Sequence, residues 1–306
     1  MAPQPIPPPR EYGVTSTTRL PLYWCKYGLF GSQPLLFLHG GPGAHHDYLL
    51  PQMLELAGAA GGRELLFYDQ RGGGRSKTSD REPITWRTQV ADLAAVIQEF
   101  GLGRPTIVGY SWGGLLALLY AAEAATDSNL PEPRVLVLID PAPISRHYRG
   151  QFEREFARRQ ASPEVERLRA ELAESGLREH DLAAYRQRNF ELSVAGYFAD
   201  PRSAENLTPF RVTERVQQSV WDSLGDFDLG ADGRLASITA PALILHGRDD
   251  PIPIASSEEA AKIIGAKLVP IDNCGHVPYI EQPAALHSAI DAFLREQRAD
   301  SAARTP

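Results

Sequence analysis

Apolar residues in the first half of the chain fall in short continuous runs bounded by turn residues. They are Leu22-Tyr23-Trp24-Cys25-Lys26-Tyr27, Leu35-Leu36-Phe37-Leu38, Leu65-Leu66-Phe67-Tyr68, Thr106-Ile107-Val108 and Arg134-Val135-Leu136-Val137-Leu138-Ile139. Most are unbroken rather than alternating, as parallel strands covered on both faces require. Between them the apolar positions take helical spacing, as Val90, Leu93, Val96 and Ile97 do within residues 86–99. This alternation predicts an α/β fold with a mostly parallel, doubly wound sheet and helices on both faces. Its ligand chemistry is expected at the carboxyl ends of the strands.

The rhythm breaks after Asp140-Pro141-Ala142-Pro143. From there the chain is rich in Arg and Glu, and its apolar residues fall at helical spacing: Val165, Leu168 and Leu172 in one segment, Val216 and Val220 in another. Ser162-Pro163-Glu164 reads as a helix start and Gly176 as a stop. Residues 144–235 are therefore expected to form an inserted all-helical cap whose charges make a solvated outer face. Strand runs return at Ala242-Leu243-Ile244-Leu245 and Lys267-Leu268-Val269-Pro270-Ile271, and an amphipathic helix is expected over 283–296. Residues 1–143 and 236–306 then make one α/β domain. Its proline-rich start, 1–12, reads as a stiff extended arm, and both this arm and 298–306 are expected to be loose tails.

Composition narrows the function classes. The 306 residues carry a net charge of -7, which argues against nucleic-acid binding as the main role, since that needs a clustered basic surface. There is no uncharged apolar stretch of transmembrane length and no apolar secretory leader, so no membrane partner is expected and a cytoplasmic location is the default. Cys25 and Cys274 are the two cysteines, far apart and without metal-ligand spacing.

The candidate chemistry starts at Gly109-Tyr110-Ser111-Trp112-Gly113, between the run ending at Val108 and the helix-prone run from Leu115. A serine between glycines at a strand-to-helix turn exposes its hydroxyl at the helix N-terminus. There the amide of Trp112 can meet an oxygen that becomes negative during acyl transfer. Such a serine needs a base, and the base needs an orienting carboxylate. His246-Gly247-Arg248-Asp249-Asp250 follows one strand run, and Asp272-Asn273-Cys274-Gly275-His276 follows the next. Ser111, Asp250 and His276 stand in the chain order of an α/β-hydrolase triad. Asp249 is the rival acid, with Asp272 behind it; His246 reads as a structural histidine at a strand end, and Cys274 as a packed thiol.

After the run at 35–38 stands His39-Gly40-Gly41-Pro42-Gly43, where bare backbone suits a second oxyanion donor, Gly41 N–H. His45, His46 and Asp47 have no further ligand at metal-site spacing, so no metal is expected. Asp69-Gln70-Arg71-Gly72-Gly73-Gly74-Arg75-Ser76 lacks the Gly-Lys-Ser/Thr ending of a phosphate loop. An Asp69–Arg71 ion pair propping the glycine loop is the expected reading there.

Together, His39-Gly40-Gly41-Pro42-Gly43, Asp69-Gln70-Arg71-Gly72-x-Gly74-x-Ser76, Gly109-Tyr110-Ser111-Trp112-Gly113-Gly114, Gly247-x-x-Asp250 and Gly275-His276 resemble the prolyl aminopeptidase (proline iminopeptidase) branch of the α/β-hydrolase superfamily. The resemblance extends over about residues 20–143 and 236–296, and in the cap rests on Tyr197-Phe198 and residues 223–229. It implies Ser111 as nucleophile, Asp250 as acid, His276 as base, and Gly41 and Trp112 as the oxyanion hole, with no cofactor. It also implies cap carboxylates that hold a substrate ammonium, one of them shortly before the Tyr-Phe pair. Here Val194 stands three residues before Tyr197, the nearest acid is Glu191, and Glu205 and Glu214 are the further candidates. The implied substrate is a short peptide or small amide that loses its N-terminal residue. The rival readings are an esterase or lactonase acting on an uncharged acyl group, and a ligand receptor built on the same scaffold.

Overall fold

The structure, a computed structural model, describes residues 5–30, 33–58, 62–79 and 81–303. Eight strands form one sheet: β1 (Glu11–Val14), β2 (Tyr23–Gly28), β3 (Leu35–Leu38), β4 (Glu64–Tyr68), β5 (Thr106–Tyr110), β6 (Val135–Ile139), β7 (Ala242–Gly247) and β8 (Lys267–Ile271). Their order is β1-β2-β4-β3-β5-β6-β7-β8. The pairs β1·β2 and β2·β4 are antiparallel and the rest parallel. Every residue of β3 to β7 is buried, because helices cover both faces. The pleat divides their side chains into two cores. Leu36, Leu38, Ile107, Leu136, Leu138 and Ile244 face one core, while Leu35, Phe37, Val108, Val135, Val137, Leu243 and Leu245 face the other.

The helices are α1 (Glu55–Gly58), α2 (Trp86–Glu99), α3 (Trp112–Ala124), α4 (Arg146–Gln160), α5 (Pro163–Glu174), α6 (Leu177–His180), α7 (Leu182–Val194), α8 (Glu214–Leu224), α9 (Ile254–Ile264), α10 (Pro278–Glu281) and α11 (Pro283–Ala303). Residues of α2, α3 and α9 fill the first core, and those of α1 and α11 the second. Helix α2 starts where Thr85 caps it reciprocally: its hydroxyl accepts from Thr88 N at 3.1 Å while its own amide donates to the Thr88 hydroxyl at 2.9 Å. Helix α3 is apolar all round and lies buried along β5. Between β6 and β7 the chain forms α4 to α8, with one isolated bridge, Ser145 to Asp228, in place of a strand. Ser162 caps α5 ahead of Pro163, and Gly176 turns the chain with φ of 67°.

Three expectations change. The supposed N-terminal arm enters the sheet: Arg10 N donates to Lys26 O at 2.9 Å, and Glu11 opens β1. As a half-solvated edge strand with Tyr12 and Val14 exposed, β1 carries no apolar run to announce it. Residues 1–4 and 304–306 lie outside the described residues, but the last helix continues past Glu296 to Ala303, so the region from 298 is helical over that span. Finally, Arg71 does not pair with Asp69. Its guanidinium clasps Asp92 on α2 through two bonds of 2.6 Å and reaches Pro83 O at 2.9 Å. Asp69 is instead taken up by His46 and by the Arg75 amide.

The Arg71–Asp92 pair is buried on both sides. Asp92→Ala would strand a desolvated guanidinium, and a loss of about 3–5 kcal/mol in unfolding free energy by urea titration is the expected result.

Candidate active site

The parallel run of the sheet reverses its winding direction between β3 and β5, and the chain leaving each strand there contributes to one crevice. From β3 comes His39-Gly40-Gly41, and from β5 comes Ser111. Ser111 takes φ of 52° and ψ of -119°, outside the regions a serine prefers, at a cost of order 1–3 kcal/mol. The turn is held by its surroundings. Ser111 N donates to Ile139 O at 2.9 Å, and Ser111 O accepts from Gly114, Leu115 and Ala142 amides at 2.9, 3.2 and 2.9 Å. The flanking glycines are demanded by contact: a Cβ on Gly109 would stand 2.4 Å from Gly113 O, and one on Gly113 would stand 2.0 Å from Leu38 O.

His276, in the loop between β8 and α10, brings Nε2 to 3.0 Å from Ser111 Oγ and Nδ1 to 2.7 Å from Asp250 Oδ2. Its backbone is pinned on two sides, N donating to Tyr197 O at 2.7 Å and O accepting the Tyr110 hydroxyl at 2.8 Å. Asp250 Oδ1 accepts the Ile252 amide at 2.7 Å. Burial alone would raise the Asp250 carboxyl, but the charge and hydrogen bond of His276 hold it below its usual value. An ionised Asp250 fixes the proton on Nδ1 and leaves the Nε2 lone pair for the Ser111 hydroxyl.

The other candidates are placed elsewhere. The Asp249 side chain is exposed, and its carbonyl accepts from Arg159. Asp272, also exposed, pairs with Arg248 at 2.5 Å. His246 spends both nitrogens away from the serine, on Ile252 O at 3.0 Å and the Ser257 hydroxyl at 2.9 Å. Cys274 is fully buried, and burial pushes its thiol up. His46 lies between Asp69 Oδ1 at 2.7 Å and Cys25 Sγ at 3.1 Å.

His39 orders the glycine loop. Gln70 N donates to His39 Nε2 at 3.0 Å, so Nδ1 carries the proton and donates to Gly40 O at 2.8 Å. Burial lowers this imidazole to about 4, consistent with the neutral tautomer. Gly40 N in turn donates to the Tyr48 hydroxyl at 2.6 Å. Gly41, Trp112, Ser111 and His276 all line a cavity of about 190 Å³. Its remaining walls are mostly aromatic and aliphatic: Tyr48, Tyr110 and Tyr279 below, and Phe152, Val194, Tyr197, Leu207, Phe210, Val212 and Trp221 from the insertion.

Of the four substrate-binding candidates, Tyr197 reaches this cavity, its ring 5.2 Å from that of His276. Glu191, Glu205 and Glu214 do not line it. Glu191 is buried along α7, where Gln187 Nε2 donates to it at 2.9 Å and Arg188 pairs with it one turn away. Glu205 and Glu214 are exposed.

Two carboxyl groups of the site were not singled out from the sequence. Asp140, directly after β6, is fully buried with φ of 40°. Its Oδ1 accepts the Gly247 amide at 2.7 Å, while its buried Oδ2 meets no donor. Asp140, His246 and Asp250 bring polar atoms within 4.8 Å of one another, but with both His246 nitrogens engaged the set fits a hydrogen-bonded support better than a metal site. Burial and the charge of Asp250 push the Asp140 carboxyl well above the usual range, so it keeps its proton and serves Asp250 as a donor. The signal was available: Asp140 ends a strand run, as the other site residues do. Glu281 on α10 had no such signal. Its carboxyl accepts from Gly275 N at 2.7 Å, Ala199 N at 2.8 Å and Asp200 N at 3.3 Å, tying the His276 loop to the insertion.

A model of the alpha/beta hydrolase family matches residues 35–289. The chain belongs to that family. This alpha/beta hydrolase is 27% identical over 283 residues to a proline iminopeptidase of Lactobacillus delbrueckii subsp. bulgaricus, covering 86% of this chain and 90% of that protein. A proline iminopeptidase of Levilactobacillus brevis is 25% identical over 280 residues, covering 85% and 88%. Among solved structures, a proline iminopeptidase of Mycobacterium smegmatis superposes with a TM-score of 0.67 at 20% identity, over 95% of this chain and 100% of that one. An esterase of Exiguobacterium antarcticum does so with 0.66 at 21%, over 93% and 98%. At these identities the structural likeness speaks for the fold. No helix among the described residues is long and apolar enough to cross a membrane.

The protonated state of Asp140 is open to test. Asp140→Asn keeps an acceptor for Gly247 N and a donor for Asp250, and is expected to hold near wild-type stability. Asp140→Gly relaxes the backbone but deletes both bonds, and a loss of about 1–3 kcal/mol in urea unfolding should follow. Equal damage by the two substitutions would contradict the proton on Asp140.

Proposed function

We propose that the protein is a serine hydrolase that works through an acyl-enzyme and accepts an uncharged, apolar acyl group. The observation that carries this reading is the Ser111–His276–Asp250 hydrogen-bonded chain opening into a cavity with no Asp or Glu among its described lining residues. Ser111 Oγ attacks the carbonyl carbon while His276 Nε2 takes its proton, and Asp250 stabilises the imidazolium that forms. The carbonyl oxygen becomes negative facing the amides of Trp112 and Gly41. The first of these belongs to the free N–H groups that open α3. His276 then gives its proton to the leaving oxygen or nitrogen. In the second half, water attacks the acyl carbon, its proton passes to His276, and the acid leaves as Ser111 regains its hydrogen. The chemistry asks for no metal or organic cofactor. Residues 144–235 act as the cap that shapes the acyl site.

A second reading is an aminopeptidase that releases the N-terminal residue of a short peptide. The identity to proline iminopeptidases over most of the chain favours it. Against it stands the position of Glu191, Glu205 and Glu214, since an ammonium entering this cavity would lose water without gaining a carboxylate.

Ser111→Ala should fold normally yet lose about 10⁶-fold in kcat and escape labelling by a fluorophosphonate that modifies the wild type. Undiminished turnover in that variant would refute the nucleophile. Asp250→Asn should cost on the order of 10⁴-fold through the wrong histidine tautomer, and Asp249→Asn should leave the rate unchanged. A panel pairing short apolar acyl esters with a proline arylamide and its N-acetylated form separates the two readings. Ester turnover that exceeds the arylamide fits the uncharged acyl site; an arylamide preferred only with its amine free fits the aminopeptidase.

A further inference from the structure

A groove of about 1000 Å³ adjoins the catalytic cavity across one thickness of chain. The dividing wall is the segment 208–213, which is neither helix nor strand. Its Phe210 and Val212 line the cavity, whereas Pro209, Arg211 and Thr213 line the groove, and Phe210 borders both. The alternation is that of an extended chain, which sends successive side chains to opposite sides.

The two compartments differ in charge. The groove is lined by Arg75, Lys77, Arg186, Arg211 and Arg215 against one acid, Asp47. Arg75 already satisfies Asp47 through bonds of 3.0 and 2.8 Å. His45, an imidazole, can bring no negative charge to offset these cations, and burial holds it below its usual value. Lys77, Arg186 and Arg211 have no ion-pair partner among the described residues, and they come from three separate stretches: the loop after β4, helix α7 and the dividing segment. In a chain of net charge -7, such convergence on one concavity makes a local positive field that attracts anions.

We propose that this groove receives an anionic group, a phosphate or a carboxylate, carried on the leaving-group side of the substrate, while the apolar acyl part occupies the cavity over Ser111 and the linking chain passes at Phe210, where the two spaces meet. The inference rests on the serine-hydrolase reading and specifies its substrate class as an amphipathic ester or thioester. The anion is a spectator: water splits the acyl bond, the acyl carbon keeps the hydroxyl, and the anionic alcohol or thiol leaves with the hydrogen. Arg186 and Arg211 offer planar forks for two oxygens of one anion, and Lys77 adds a point charge.

The test compares three esters of one apolar acid, made with a neutral alcohol, a phosphate-bearing alcohol and a carboxylate-bearing alcohol. Wild type is expected to show kcat/KM at least about tenfold higher for an anionic ester than for the neutral one, with the advantage shrinking as salt is added. Which anionic ester gains identifies the group. The triple variant Lys77→Glu, Arg186→Glu, Arg211→Glu should lose that advantage and hydrolyse the neutral ester as wild type does. Equal rates on all three esters in wild type, or an equal loss on neutral and anionic esters in the variant, would overturn the proposal. If wild type hydrolyses no ester, the reading of an uncharged acyl site fails by itself, and calorimetry with inorganic pyrophosphate still reads the groove. Binding to wild type that the triple variant lacks supports an anion site; binding to both or to neither refutes it.

Discussion

The backbone crossing at Ser111 is the constraint on which the rest of the site depends. Strand β5, helix α3 and the end of β3 meet there so closely that Gly109 and Gly113 leave no room for a side chain, and Leu38 O lies against Gly113. The strained serine persists because four backbone hydrogen bonds to its own N and O determine its position from three directions. One of these comes from Ile139 at the end of β6 and another from Ala142 just beyond it, so the neighbouring strand helps to hold the turn. The same crossing puts the β3 glycine loop beside the hydroxyl. A Cβ on Gly40 would stand 2.9 Å from that of Ser111. The Ser111 hydroxyl and the bare amides of the glycine loop are thus set by main-chain packing rather than by adjustable side chains.

Around that crossing, buried ionisable groups are arranged so that each has a defined proton. His39 is kept neutral and orders the Gly40 carbonyl. Asp250 is kept ionised by His276, and Asp140 behind it is kept neutral by burial and by the charge of Asp250. Two carboxyl groups in one dry space cannot both be charged, and dividing one negative charge between them leaves a single acceptor for the imidazole. Glu281 connects this centre to the insertion: its carboxyl binds amides on both sides of the gap, next to the Tyr197 carbonyl that receives His276 N. Burial raises this carboxyl to about 7 against the pull of those amides. The folded state therefore holds a proton there more tightly than the unfolded chain, and this contribution to stability is greatest below the usual carboxylate range and fades as pH rises through about 7.

Residues between β6 and β7 shape the cavity by what they turn inward and what they turn away. Phe152, Val194, Tyr197, Phe210 and Trp221 close an apolar space over Ser111, whereas Glu191 lies along its own helix against Arg188. An acid one turn from the expected position can in principle swing toward a site. Here the nearby guanidinium, the Gln187 amide and burial hold it in place. Charged side chains gather instead on the other side of the 208–213 wall, where cations outnumber acids.

Much of the framework was legible in the chain itself. Continuous apolar runs mark β3 to β7 because a strand buried on both faces leaves no position for water. The Ser162-Pro163 start and the Gly176 stop are local chemistry, and so is the Ser111 turn, whose glycines report a contact their own neighbours create. The order of Ser111, Asp250 and His276 follows from residues that each leave the end of a strand. What the chain alone left open was decided by groups distant in sequence. Asp250 rather than Asp249 meets His276, because β7 and β8 lie side by side and the first of the two adjacent carboxylates turns to solvent. Arg71 chose Asp92 on a helix over Asp69 two residues away, and β1 became an edge strand by pairing with β2 and not through any apolar run of its own. The proton on Asp140 depends on desolvation and on a neighbour more than a hundred residues along the chain. Local periodicity and glycine placement are written in short stretches, whereas burial, charge pairing and proton ownership exist only once the chain has closed on itself.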